Sequence, residues 1–274
     1  MRLYRALLLG SGLFYSQVAS MTIPKKAVVI GGGIQGTSVA YFLDRHPEVE
    51  SVTLLEAVKP ASAASGKGGG FMARSWGDGS PTQGLHELAF DMYSDLAEEL
   101  GCTSYRKLPV LSVSPGKNGV QQAKKNQQLS NVLPNWLDGN VGRIGVMGLG
   151  DDTAQVTPSD FVAKMIEKSN IKVVLGTCCG VITQDDNTVT GVQYRERGSE
   201  EIMELDADAV VVSAGPWSSQ AEDWFDGAVS LPMEGIKSTS IVWKNTGEDV
   251  DATALFCGED HRFGTHRKLL LSYL

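Results

Sequence analysis

The feature that most constrains this chain is an apolar strand that runs directly into closely spaced glycines. Residues 27–30 are Ala-Val-Val-Ile, which is typical of a strand covered on both faces of a parallel sheet. The glycines that follow are Gly31, Gly33 and Gly36. Residues 34–43 read as a helix, and the apolar stretch 51–55 supplies a second strand. Together these segments predict a β-α-β unit near the start of the chain.

The spacing of the three glycines gives each a separate physical role. Gly31 permits the tight turn out of the strand, Gly33 lets the backbone approach a pyrophosphate, and Gly36 lets helix and strand pack closely. Unpaired N–H groups and a partial positive charge at the helix start favour phosphate. Glu56, about 20 positions after Gly36, ends the second strand with a carboxylate suited to ribose hydroxyls. The pattern predicts a dinucleotide site, and the carboxylate disfavours the 2′-phosphate of NADP.

A second small-residue segment, residues 61–70, follows soon after Glu56. Four of its ten residues are glycine, and it has too few apolar side chains to build a core. An NAD-dependent dehydrogenase needs no second glycine-rich stretch here, whereas a flavin dinucleotide must be approached by backbone along its length. The segment therefore favours FAD over NAD. Lys67 either neutralises phosphate charge or extends into solvent, and both interpretations stay open.

Two helices are expected in the middle of the chain. From residue 81 the apolar residues follow a helical stripe that Gly101 is positioned to end. The stripe consists of Leu85, Leu88, Ala89, Met92, Leu96 and Leu100. Residues 157–160 have the form of a capping box with proline at the first helical position, which predicts the start of another helix.

The last third of the sequence predicts strands. Three short ones, around residues 181–183, 189–194 and 202–205, are separated by turn-rich segments and indicate a β-meander. Residues 209–213 form a further buried strand that runs into Gly215, the second place where an apolar strand meets a glycine. This junction is a second candidate for contact with a ligand.

Charge and composition exclude several classes of function. The 274 residues carry 24 Lys and Arg against 32 Asp and Glu, a net charge of −8, so nucleic acid is not an expected partner. Hydrophobic residues make up 42% of the chain, enough for a sizeable core. No apolar stretch reaches the roughly 20 residues of a membrane-spanning helix, so we expect no integral membrane segment. The four cysteines lack C-x-x-C spacing, so we expect neither a metal site nor a structural disulfide.

Residues 1–23 read as a leader or a signal-like segment. Arg2 and Arg5 precede apolar residues and then small residues, which is the shape of a signal peptide. Gly10 and Gly12 interrupt the apolar run, and Met21 would make a natural start for a cytosolic enzyme. The expected location is the cytoplasm, with the secretory pathway as the alternative if residues 1–20 act as a signal peptide.

Several segments together resemble the FAD-dependent oxidoreductases of the D-amino-acid oxidase and glycine oxidase superfamily. These segments are residues 31–56, 64–73, 76–81, 154–158 and 207–217. Many flavoproteins share the first glycine motif, but the Ser-Gly-Lys-rich loop followed by Phe71 and Trp76 is more specific to this superfamily. Thr157 departs from the pattern, because a histidine is expected there in the closest relatives.

The resemblance implies an α/β fold with a Rossmann-like FAD/NAD(P)-binding domain, a β-meander and a partial α+β substrate domain with an antiparallel sheet. It implies FAD in an extended form and oxidation of a C–N bond of an amine or amino acid by hydride transfer to flavin. The residues implied to bind FAD are Gly31, Gly33, Ile34, Gly36, Glu56, Ser65, Gly66, Lys67, Gly68, Val181, Gly215, Pro216 and Trp217. Among them, Val181 is expected to approach adenine through its backbone. No catalytic residue is assigned.

The resemblance also implies a division of the chain into domains. The expected parts are a leader at 1–23, an FAD-binding domain at 24–105 and 153–228, a substrate-domain insertion at 106–152, and the start of a substrate-domain sheet at 229–274. Because relatives continue further, we expect a version of a longer enzyme that is truncated at its C-terminus. Two other functions stay open: a catalytically silent scaffold or trafficking protein that keeps the fold, and an NAD-dependent dehydrogenase.

Overall fold

The computed structural model describes residues 23–137, 141–185, 188–225, 227, 229–239, 250–258 and 269–272. The strands within these ranges, in chain order, are β1 Lys26–Ile30, β2 Ser51–Glu56, β3 Phe71–Ala73, β4 Arg106–Lys107, β5 Val110–Pro115, β6 Val141–Gly148, β7 Thr153–Gln155, β8 Lys172–Thr183, β9 Val189–Glu196, β10 Ile202–Asp206, β11 Ala209–Val212, β12 Ala254–Cys257 and β13 Leu269–Ser272. The α-helices are α1 Ile34–Asp44, α2 Ala64–Lys67, α3 Gln83–Leu100, α4 Gly119–Ala123, α5 Gln127–Ser130, α6 Pro158–Glu167 and α7 Ala221–Trp224. Short 3₁₀ helices occupy Ser75–Gly77 and Gly215–Gln220.

The largest sheet has six strands in the order β10-β9-β8-β2-β1-β11. β8, β2, β1 and β11 are parallel to one another, while β8, β9 and β10 are joined in antiparallel pairs. The β-α-β unit and the β-meander expected from the sequence are thus confirmed. Because β1 and β2 lie inside the sheet, the glycine turn after β1 opens at the carboxyl ends of parallel strands.

The first strand of the meander begins earlier than the sequence indicated. β8 starts at Lys172 rather than near residue 181, and its first four residues pair in parallel with β2 before the rest pairs with β9. Residues 176–179 are Gly-Thr-Cys-Cys, which is not a continuous apolar run, so the sequence did not indicate that one strand serves both pairings. A bulge at Cys179 interrupts the pairing with β9.

Two further sheets complete the described fold. A four-stranded sheet has the order β13-β12-β5-β6, in which β12 and β5 are parallel and the two outer pairs are antiparallel. A three-stranded antiparallel sheet has the order β3-β7-β4. The second sheet is therefore mixed rather than purely antiparallel. Part of the segment 229–274, expected to begin the substrate-domain sheet, lies outside the described residues, and the predicted domain boundaries stay predictions.

Apolar clusters cover both faces of the main sheet. On one face, Leu54 of β2 packs with Tyr41 of α1 and Phe161 of α6, each at most 1% exposed. On the other face, Val28 and Leu55 pack with side chains of the meander. Burial on both faces explains why these strands are continuous apolar runs, as expected for a parallel sheet. The rigid layer so formed holds the glycine turn in place.

Helix α3 has the expected bounds but not the expected buried face. Gly101 ends it in a left-handed conformation, with φ at 64°, as predicted. The expected stripe is wrong at its N-terminal end, because Leu85 and Leu88 are 66% and 59% exposed. Phe90 is buried instead. The buried residues of the helix are Phe90, Ala97 and Leu100, so its first turns do not reach the core and helical periodicity alone could not identify the buried positions.

Helix α6 begins at Pro158, as the sequence indicated, but without a capping box. The Thr157 side chain makes no capping hydrogen bond. The Asp160 carboxylate accepts instead from the Ser104 hydroxyl, at 2.7 Å, and from the Cys102 thiol. A contact with a distant segment has thus replaced the local pairing that the motif predicted.

Candidate cofactor-binding site

A cavity of about 600 Å³ opens at the carboxyl ends of the parallel strands β1, β2 and β11. Its volume falls within the range of small-molecule sites. Ligands of doubly wound sheets bind at this end of the strands. The predicted site residues that line it are Gly31, Gly33, Ile34, Glu56, Ser65, Gly215, Pro216 and Trp217. The structure therefore brings together residues that are up to about 190 positions apart in the sequence.

Close backbone packing explains why the turn after β1 requires glycine. Gly31 has a φ of +108°, and a Cβ added there would lie 2.3 Å from the carbonyl oxygen of Ser213. A Cβ added to Gly36 would lie 2.0 Å from the carbonyl oxygen of Gly31. Both distances are far below van der Waals contact, so α1 approaches the turn, and the turn approaches the end of β11, only because side chains are absent.

The start of α1 presents backbone N–H groups to the cavity. Within the described residues, the N–H groups of Gly33 and Gln35 donate no hydrogen bond to the backbone or to a side chain. The Ile34 N–H donates to Ser65 Oγ at 2.9 Å, so Ser65 ties the small-residue segment to the helix start. Free N–H groups and the helix dipole together suit an anionic ligand such as a pyrophosphate.

Glu56 has a carboxylate held in a fixed orientation beside this turn. Its Oε2 accepts from the Gly32 N–H, and its Oε1 accepts from the Val58 N–H, both at 2.8 Å. The Gly32 carbonyl in turn accepts from the Ala61 N–H at 2.9 Å. Gly32 is thus fixed through both of its backbone polar groups. Each carboxylate oxygen keeps a further lone pair with which it can accept a hydroxyl.

Ala61 is one of two described non-glycine residues with a positive φ, at 56°. Its carbonyl oxygen lies so close to Gly66 that an added Cβ there would be 1.8 Å away. Gly66 therefore packs against the backbone of Ala61 and does not line the cavity, and the FAD contact expected for it stays a prediction. Sequence reasoning missed Ala61, because nothing in the residue type signals a left-handed backbone.

Residues Gly176–Cys178 of β8 form the part of the wall that lies beyond β2. Burial raises the pKa of the Cys178 thiol to about 11, so this cysteine is a neutral wall group rather than a nucleophile at neutral pH. Val181, the residue expected to approach adenine, packs against the core cluster that contains Val28 and Leu55 and does not line the cavity, so its contact with adenine stays a prediction. The bulge at Cys179 separates the two positions.

The segment after β11 passes over the cavity. Its lining residues run from Gly215 through Trp217, which is 53% exposed, to Gln220 and Trp224. Lys67 and Gly68 do not line the cavity, so the phosphate or flavin contacts expected for them stay predictions. Ser213 lies at the strand–glycine junction that the sequence marked as a candidate ligand contact, whereas Gln220 and Trp224 carried no sequence signal of a site.

The model of the FAD dependent oxidoreductase family, DAO, matches residues 26–266. The chain belongs to this family. The family assignment made from the sequence motifs is therefore confirmed, and so is FAD as the cofactor of the family to which the chain belongs. The match includes the glycine turn, the small-residue segment and the segment that passes over the cavity.

Two yeast proteins that are named as oxidoreductases are similar in sequence. The protein from Schizosaccharomyces pombe is 30% identical over 224 residues, which cover 73% of this chain and 56% of the relative. The protein from Saccharomyces cerevisiae is 29% identical over 159 residues, which cover 53% of this chain and 29% of the relative. The chain thus spans about half or less of the length of the curated relatives it matches.

Solved structures of the same fold confirm the architecture. Glycine oxidase from Bacillus cereus superposes with a TM-score of 0.55 at 18% identity, over 74% of this chain and 58% of that one. L-Amino acid deaminase from Proteus myxofaciens superposes with a TM-score of 0.59 at 21% identity, over 83% and 52%. L-Proline dehydrogenase from P. horikoshii gives a TM-score of 0.56 at 18% identity, over 85% and 64%.

The cavity fits the cofactor of this family. The close approach of Gly36 to Gly31, the free N–H groups at the start of α1 and the carboxylate of Glu56 match a pyrophosphate followed by a ribose.

Among the described residues, no helix has both the length and the apolar composition needed to cross a membrane.

Proposed function

We propose that this chain binds FAD and forms the cofactor-binding part of an oxidoreductase that acts on a C–N bond of an amine or amino acid. The observation that carries the proposal is the convergence of the glycine turn, the start of α1 and Glu56 on one cavity. These three features supply the tight turn, the phosphate-binding N–H groups and the ribose acceptor that an adenine dinucleotide requires.

Different residues would bind the pyrophosphate and the ribose of the cofactor. The N–H groups of Gly33 and Gln35 would donate to the pyrophosphate, and the hydroxyl of Ser65 lies beside them because it accepts from the Ile34 N–H. The Glu56 carboxylate would accept from the adenosine ribose hydroxyls, and its hydrogen bond from the Gly32 N–H holds it in position for that contact. Preorganised groups of this kind lower the entropic cost of binding.

The bound flavin supplies the hydride acceptor for the reaction. The substrate class is supported by the names of three fold neighbours, a glycine oxidase, an L-amino acid deaminase and an L-proline dehydrogenase, all of which refer to amino acids. We assign the substrate domain to the four-stranded sheet formed by β5, β6, β12 and β13, because its strands come from the segments 106–152 and 229–274 that the sequence predicted for that domain. The family membership of the chain supports oxidoreduction as the reaction class.

The test is an absorbance spectrum and a calorimetric titration of the purified chain with FAD. We expect flavin absorption bands that persist after desalting, no comparable binding of NAD, and bleaching of the bands by an amine or amino acid in the absence of oxygen. FAD binding without bleaching by any substrate would contradict the catalytic part and favour the silent scaffold. A folded protein that rejects FAD would overturn the proposal.

A pair of glycine variants supplies a matched control. Gly31→Ala places its Cβ 2.3 Å from a backbone carbonyl oxygen, whereas Gly79→Ala meets no heavy atom within 4 Å, although both positions have positive φ. We expect Gly31→Ala to lose FAD binding and Gly79→Ala to retain it. Equal losses of FAD affinity in the two variants would show that strain from a positive φ, rather than the close packing of the turn at Gly31, controls binding.

A further inference from the structure

The order of the strands gives the cofactor a direction across the sheet. Neighbouring strands run β11, β1, β2, β8. The phosphate-binding turn follows β1, and the ribose acceptor Glu56 ends β2. Adenine follows the ribose in the cofactor, so in this order it must lie at the next strand, β8. Residues 176–178 line the cavity there, directly after the part of β8 that pairs with β2.

Two apolar side chains stand at this end of the cavity. Val58 is 51% exposed and lines the cavity two residues after Glu56, to which its N–H donates. Trp224 belongs to α7, which packs against β8. Trp224 is partly buried against the cluster that contains Ile30 and Leu55, and it also lines the cavity. An aromatic ring supported by the core is a rigid surface for a nucleobase.

We propose that Trp224 is the adenine-recognition residue of this chain, an assignment that rests on the proposed binding of FAD. The indole supplies an aromatic wall for the base, and the exposed Val58 supplies apolar surface near the ribose. Base contact with an aromatic side chain strengthens binding for any ligand that carries the base, with or without a flavin. ADP therefore tests the assignment without any flavin chemistry.

The experiment is isothermal titration of ADP and of FAD into the wild-type chain, Trp224→Leu and Trp224→Phe. Trp76→Leu is the matched control, because Trp76 lies outside the cavity in an aromatic cluster with Phe71 and Phe256. We expect Trp224→Leu to raise the Kd for ADP about tenfold, Trp224→Phe to stay within about threefold, and Trp76→Leu to match the wild type.

Indole emission gives a second readout that needs no leucine variant to fold. ADP should change the tryptophan emission of the wild type at saturation, and this change should disappear in Trp224→Phe. An unchanged wild-type emission at saturating ADP, or a folded Trp224→Leu with wild-type affinity for ADP, overturns the assignment. A wild type that binds neither ADP nor FAD instead overturns the proposed function, so the two failures are distinguishable.

Discussion

The substitution Gly36→Ala tests the packing that defines the cofactor turn. In an ordinary helix this change stabilises, since alanine is favoured over glycine by about 1 kcal/mol. Here the new Cβ would lie 2.0 Å from the carbonyl oxygen of Gly31 and 3.1 Å from the Cβ of Ser213. The nearer atom belongs to the backbone of the turn, so relief requires α1 or the turn itself to shift. Overpacking of this kind costs about 1–3 kcal/mol or more.

Because the helical preference of alanine offsets about 1 kcal/mol of this cost, the expected result is a net loss of up to about 2 kcal/mol in the free energy of unfolding. We also expect a loss of at least about tenfold in FAD affinity. Gly84→Ala is the matched control, since Gly84 lies in the first turn of α3 and a Cβ there meets nothing within 4 Å. This control should gain about 0.5 kcal/mol. Urea unfolding followed by circular dichroism gives the stabilities, and calorimetric titration gives the FAD affinities.

The comparison of Gly36→Ala with Gly84→Ala shows whether the site requires the close approach of α1 to the turn. If Gly36→Ala were as stable as Gly84→Ala and bound FAD with wild-type affinity, the close approach of α1 to the turn would not be a requirement of the site. A loss of affinity without a loss of stability would show that the turn moves freely and that only its bound geometry depends on Gly36.

Three further predictions concern Glu56, Ala61 and Cys178. Glu56→Gln leaves one of the Gly32 and Val58 N–H groups without a full acceptor, so the unfolding free energy of the FAD-free protein should fall by about 1 kcal/mol in urea titrations. Ala61→Gly relieves a positive φ of 56° and should stabilise by about 1 kcal/mol in the same assay, whereas Ala61→Val should destabilise. Because the Cys178 pKa is raised from 9.0 to about 11, the unfolded thiol ionises first as pH rises, so stability should fall between these pH values and the Cys178→Ala variant should lack this component.

The sequence predicted the parts of the site that depend on local backbone requirements. Gly31 and Gly36 are readable because a strand that turns sharply into a closely packed helix has no room for side chains there. Glu56 is readable because the length of a β-α-β unit fixes where the second strand ends. The parallel strands are readable because burial on both faces requires continuous apolar runs.

The rest of the site was decided by contacts between distant segments. The family resemblance implied a contact of Val181 with adenine, which stays a prediction. The pairing of β8 with β2 starts at Lys172 and brings residues 176–178, rather than Val181, to the cavity wall. The Asp160 carboxylate does not take part in the expected capping box, because it accepts a hydrogen bond from the hydroxyl of Ser104, 56 residues away. Neither contact produces a periodic pattern of residue types in the sequence.

The sequence by itself thus determined the β-α-β unit, the glycine turn after β1 and the position of Glu56 at the end of β2, because each follows from the backbone geometry of a short segment. Only the tertiary structure decided which residues form the far wall of the cavity. Trp224 reaches it because the segment after β11 passes over the site and α7 packs on β8. That path depends on strand order and core packing, which are properties of the folded chain as a whole.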